Sequence, residues 1–164
     1  MKISELKLPS QAINLLLNDG FSKLYLPQEE SITAGLLDGE SILVSTPTAS
    51  GKTLIAIIAM LNYLFKNEGI IVYLSPLKAL ASEKFLEFKK LESLNYNGKK
   101  IKVVISTGDF DSLDKNLELG DIAVLTNEKM DSVIRHNPGW LDKIGLVIAD
   151  EIHLIGSEDR GPTL

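Results

Sequence analysis

Ser45-Thr46-Pro47-Thr48-Ala49-Ser50-Gly51-Lys52-Thr53 follows an apolar run and opens a helical pattern, and its reading decides the fold. A strand that ends in small residues and runs into a helix beginning Gly-Lys-Thr suits a phosphate. Successive backbone N–H groups from about Ala49 to Thr53 can point into one concavity. The helix N-terminus adds a partial positive charge. Lys52 would reach β- and γ-phosphates, and the Thr53 hydroxyl would ligate magnesium. The generic pattern puts a glycine five positions before Gly51, where this chain has Thr46. Pro47 follows, and Ala49 stands where many such loops carry glycine, so positive φ at 46 or 49 would be costly. Alone, Ser50 to Thr53 also reads as a turn opening a helix; the flanking strand and helix favour phosphate.

Outward from this loop, the chain alternates. Residues 41–45, 69–75, 101–106, 121–126 and 145–149 are short apolar runs rich in Ile and Val. Each predicts a strand buried on both faces. Helical patterns cover 52–65, 77–91 and 128–135, and two further helices are expected upstream, over 10–18 and 27–37. Strands alternating with helices predict an α/β fold: a mostly parallel sheet with helices on both faces. Lys99, Lys100 and Lys102 surround Gly98 and read as a solvated turn and strand entry.

The last apolar run ends in two acids, Asp150 and Glu151. Carboxylates are costly in a buried strand unless they sit at the carboxyl edge of the sheet, where parallel α/β sheets place their ligands. Asp150 would hold Mg²⁺ through water. Glu151 would orient and polarise the water attacking a γ-phosphorus. The plainer alternative is that the pair solvates a strand end.

Bulk composition sets limits. The 164 residues suffice for one domain, 45% are hydrophobic, and there is no cysteine. Disulfides and thiolate chemistry are therefore excluded. No apolar run approaches the ~20 residues of a membrane span, and the first residues carry no signal-peptide core. An intracellular, cytoplasmic location is the default expectation. The net charge of −5 argues against binding nucleic acid through a bulk basic surface, though a local phosphate track remains compatible with it.

Asp150-Glu151-Ile152-His153 resembles a DExH box, and other segments accompany it in order. Gln28, after Leu24-Tyr25-Leu26-Pro27, resembles the adenine-reading glutamine motif of superfamily 2 helicases. Tyr73-Leu74-Ser75-Pro76-Leu77-Lys78-Ala79-Leu80-Ala81 resembles their motif Ia. Ser106-Thr107-Gly108-Asp109-Phe110 and Leu125-Thr126-Asn127-Glu128 look like the next DNA-contacting motifs. The chain resembles the archaeal DNA-repair helicase group that acts at stalled forks, kin to the helicase domain of DNA polymerase theta. Thr46 and Ala49 look normal for that group.

The resemblance implies a RecA-like P-loop NTPase domain, the first motor domain of an ATP-dependent DNA helicase moving 3′ to 5′. Gln28 would bind the adenine edge. Thr46, Pro47, Thr48, Ala49, Ser50, Gly51, Lys52 and Thr53 would wrap ATP. Lys52 and Glu151 would be catalytic, and Thr53 and Asp150 would hold Mg²⁺. Pro76, Lys78, Ala79, Thr107, Gly108, Thr126 and Glu128 would lie along single-stranded or forked DNA. His153 would couple the γ-phosphate to a second RecA-like domain in cis. Motif III and the second motor domain are absent from residues 1–164, so the resemblance implies a fragment that is nearly inactive alone.

Each role has a bland counterpart. Gln28 and Lys78 also suit an exposed helix, and Thr126 a helix cap. His136 suits a helix C-terminus, Trp140 a core plug, and Phe110 either a loop or a base-stacking platform. An RNA track, and a nucleotide-binding module with no motor, are the functional alternatives.

Overall fold

The helix expected after Pro9 spans Ser10–Asn18 (α1), with Ala12 and Leu16 buried one turn apart on a shared face. The computed structural model describes residues 1–46, 51–108 and 117–153. The chain divides into two units, Met1–Asn67 and Glu68–Leu164.

In the first unit α2 runs over Leu26–Thr33, with Pro27 in its first turn. It is shorter than the 27–37 read from sequence, because Gly35 adopts φ 101° and a 3₁₀ turn follows over Leu36–Asp38. A left-handed glycine is a common helix stop. Helix α3, Lys52–Lys66, is apolar on most sides and largely buried. Its Asn62 Nδ2 and Lys66 Nζ donate to the Leu37 carbonyl at 3.2 and 2.7 Å, tying α3 to the 3₁₀ turn.

The strand expected over 41–45 is not formed. An apolar run becomes a strand only where a neighbour satisfies its N–H and C=O groups. Among the described residues no strand pairs with it, and Leu43 is 76% exposed.

The second unit holds the sheet. Its elements are β1 (Ile70–Ser75), α4 (Lys78–Phe88), β2 (Asn95–Tyr96), β3 (Lys99–Lys100), β4 (Val103–Ser106), β5 (Ile122–Thr126), α5 (Asn127–His136) and β6 (Ile144–Ala149). Four strands pair in the order β4-β5-β1-β6, every ladder parallel. The inner strands behave as the sequence reading expects: all of β5 is buried, and nearly all of β1. The edge strands do not. On β6, the last strand of the order, exposure alternates and Val147 is 51% exposed.

Strand alternation assigns the helices to faces. Ile70, Val72 and Leu74 pack with Met130 and Val133 of α5, together with Trp140. Tyr73, of opposite parity, meets Phe88 of α4 edge to face, centroids 5.0 Å apart. Helices therefore cover both faces, as expected. Trp140 is 3% exposed, which fits a core plug.

The basic cluster at 99–102 is more than a solvated turn. Asn97 and Gly98, with φ 47° and 76°, close a two-residue hairpin between β2 and β3, the geometry that Asn-Gly favours. The hairpin is clipped to the sheet by buried Asp121, just before β5. Its carboxylate accepts from the Tyr96 hydroxyl, from Lys99 Nζ at 2.7 Å and from the Lys102 N–H at 2.8 Å. The hydrogen bond to Asp121 raises the Lys99 pKa. Replacing Asp121 with Ala removes the carboxylate acceptor of a buried hydroxyl, an ammonium and a backbone donor, with an expected loss of about 2–4 kcal/mol in urea denaturation. A loss below about 0.5 kcal/mol, the range of an ordinary surface substitution, would show that the clip is dispensable.

Candidate functional site

The first unit carries the nucleotide candidates. Gln28 is 2% exposed, which removes the reading as a surface helix residue. Its Oε1 accepts from the Tyr25 N–H at 2.7 Å, and its Nε2 donates to the Gly51 carbonyl at 3.2 Å. The amide thus joins the start of α2 to the residue that opens α3. Gly51 is favoured by its backbone, and a side chain there would displace the Gln28 amide. Its φ is 81°, and an added Cβ would stand 2.3 Å from Gln28 Nε2. Lys52 and Thr53 occupy the first turn of α3, both half-buried. Lys52 Nζ donates to the Thr46 carbonyl at 3.4 Å. Pro47, Thr48, Ala49 and Ser50 lie outside the described residues, as does Phe110.

In the second unit, registry brings the remaining candidates to one edge. Ser75 pairs with Thr126, Leu125 with Ser106, and Leu74 with Ala149. The segments after β1 (Pro76, Lys78, Ala79), after β4 (Thr107, Gly108), after β5 (Thr126, Glu128) and after β6 (Asp150, Glu151) therefore all leave the same carboxyl edge. Connections diverge here, β1 leading through α4 to β4 and β5 through α5 to β6, the arrangement that opens a crevice in α/β sheets. Pro76 is buried, whereas Lys78, Ala79, Gly108 and Glu128 are exposed. Thr126 is buried and caps α5, its Oγ1 accepting from the Lys129 N–H at 3.2 Å. His136 lies exposed in the last turn of α5 with its Nδ1 2.7 Å from the Ser132 carbonyl, as its helix-end reading expected.

Asp150 is held from three sides. The Tyr73 hydroxyl donates to Oδ2 at 2.7 Å, the Glu151 N–H to Oδ1 at 2.9 Å, and its own N–H to the Leu74 carbonyl at 3.0 Å. Burial, reinforced by the bond to Asp150, pushes the Tyr73 pKa well up, so this phenol stays a donor. Glu151 adopts φ 53°, a left-handed conformation rare outside glycine. That turn lets its carboxylate reach His153, with Oε2 3.1 Å from Nδ1. Oxygen donors of this kind match Mg²⁺, which keeps several waters and takes one or two carboxylates plus phosphate. No group of three or more His, Cys, Asp or Glu side chains among the described residues is placed to hold a metal.

Sequence reasoning missed the Tyr73–Asp150 bond and the polar atoms under the edge. Ser75 Oγ and Asn127 Oδ1 are buried without a hydrogen-bond partner among the described residues. Tyrosine amid the Ile and Val of β1 was the available signal for the first.

Residues 25–164 match the DEAD/DEAH box helicase family. Over all 164 residues the chain is 51% identical to the ATP-dependent DNA helicase Hel308 of Pyrococcus horikoshii and 49% identical to that of Methanocella arvoryzae, spanning 22% of each relative. Identity is 46% to Hel308 of Thermococcus kodakarensis, of which the chain spans 14%. The chain thus covers about a fifth or less of these curated relatives. Among solved structures, the DUF1998 helicase MrfA bound to DNA superposes with a TM-score of 0.77 at 25% identity, over 90% of this chain and 22% of that one. The Mycobacterium smegmatis helicase Lhr bound to ssDNA and AMP-PNP shares the fold, with a TM-score of 0.75 at 24% identity over 99% of this chain and 22% of that one. No helix among the described residues is long and apolar enough to cross a membrane. On sequence and fold together, this chain belongs to the DEAD/DEAH box helicases.

Proposed function

We propose that the chain is the first RecA-like motor domain of an ATP-dependent DNA helicase that translocates 3′ to 5′, working inside the cell on single-stranded or forked DNA with a second RecA-like domain in cis. One observation chiefly supports this reading. The acidic pair Asp150–Glu151 and three segments suited to nucleic acid leave the same edge of one parallel sheet. The names of the relatives, DNA helicases throughout, favour DNA over RNA as the track.

In this reading Gln28 reads the adenine edge while its fixed amide holds the Gly51 carbonyl. Residues 46–53 wrap the triphosphate, with backbone N–H groups from about Ala49 to Thr53 as donors, and Lys52 meets the β- and γ-oxygens. Asp150 and the Thr53 hydroxyl hold magnesium, which when bound neutralises charge on those oxygens. Glu151 orients the attacking water and accepts its proton. His153, in contact with that carboxylate, carries the state of the site to the second domain. Lys78 and Ala79, Thr107 and Gly108, and Thr126 and Glu128 track a DNA strand through helix N-termini and backbone donors. A domain of net charge −5 needs such local contacts.

The test is ATPase stimulation of the full-length protein by single-stranded DNA and by RNA of matched length. DNA should stimulate strongly and RNA weakly. Equal stimulation by RNA overturns the choice of track, and no stimulation by either overturns the motor.

A further inference from the structure

We propose that Tyr73 is a positioning residue that sets the plane of the Asp150 carboxylate for magnesium-loaded nucleotide. The inference rests on the function proposed above and adds a residue to it.

The Tyr73 ring is 2% exposed and wedged edge to face on Phe88, 73° between planes, so it cannot swing away. Tyr73 pairs with Ile148 across the β1–β6 ladder, so its side chain shares a face with Ile148 and with Asp150 two residues on. The hydroxyl therefore meets Oδ2 from within the sheet, while the Glu151 N–H meets Oδ1 from the chain end. Each oxygen has one donor and keeps a lone pair directed elsewhere. A carboxylate at a strand end would otherwise rotate about two torsions. Magnesium demands near-ideal octahedral geometry, so fixing that rotation matters more for this ion than for a tolerant one. Phenylalanine at 73 keeps the ring against Phe88 and removes only the donor.

The experiment uses the full-length protein and a fluorescent N-methylanthraniloyl ATP, titrated with Mg²⁺ and separately in EDTA. Tyr73→Phe should need about tenfold more Mg²⁺ for half-maximal tight binding, the usual effect of losing a hydrogen-bond partner of a metal ligand. Affinity in EDTA should not change. In an Asp150→Ala background the same substitution should cause no further shift. An unchanged Mg²⁺ requirement overturns the inference. So does an equal loss with and without Mg²⁺, which marks a merely structural role, or a shift that persists without Asp150. If the unsubstituted protein shows no Mg²⁺-dependent nucleotide binding, the proposed function fails first and takes this inference with it.

Discussion

Glu151→Gln should leave ATP binding intact and lower DNA-stimulated turnover by a factor of about 10²–10⁴, the range for loss of a general base. The carboxamide has the same shape, so it fits the turn at φ 53° and can still accept a hydrogen bond. What it cannot do is take a proton from water. The backbone N–H of residue 151 still reaches Asp150 Oδ1, because that bond does not involve the side chain. Magnesium binding through Asp150 is therefore expected to survive. The contact with His153 Nδ1 loses its charge but not its geometry. Steady-state ATPase at saturating DNA, beside equilibrium binding of the fluorescent nucleotide, separates the two effects. Turnover within threefold of the unsubstituted protein would remove Glu151 from the base role. A parallel loss of binding would mean that the side chain is needed for structure instead.

How much of this was legible depends on the range over which each signal acts. Helices α1, α3 and α5 came out within a residue or two of their sequence patterns, because apolar periodicity and end residues are local. The inner strands β1 and β5 were legible for the same reason. The run at 41–45 has the composition of a strand, but a strand is a relation between segments, and composition does not record whether a partner is present. The same gap explains β6, read as buried on both faces and found exposed at Val147. In the site, glycine at 51 and the acids at 150 and 151 were plain from residue type. That Gln28 would spend its amide on the Gly51 carbonyl was not, since the partners lie 23 residues apart. Tyr73 and Asp150 lie 77 residues apart, and only the parallel ladder between β1 and β6 brings them together.

Lys52→Ala should abolish tight nucleotide binding and lower turnover by about 10²–10³, the loss expected when one preorganised donor to developing charge is removed. The residue opens α3 with its ammonium 3.4 Å from the Thr46 carbonyl. An ammonium has three donors, so the loop carbonyl can steady it while the others face phosphate. Alanine is the best helix former, and Lys52 is only half-buried. The melting temperature should therefore stay within a few degrees while binding is lost, a contrast that distinguishes a ligand residue from a structural one. The variant also differs from Glu151→Gln, which keeps affinity. Their combination tests whether the two side chains serve one phosphoryl group. Residues acting on the same transition state are strongly non-additive, so the double variant should turn over little more slowly than the worse single variant. Effects that multiply would assign Lys52 and Glu151 to independent steps, and a Lys52→Ala protein with normal affinity would end the phosphate reading of the loop altogether.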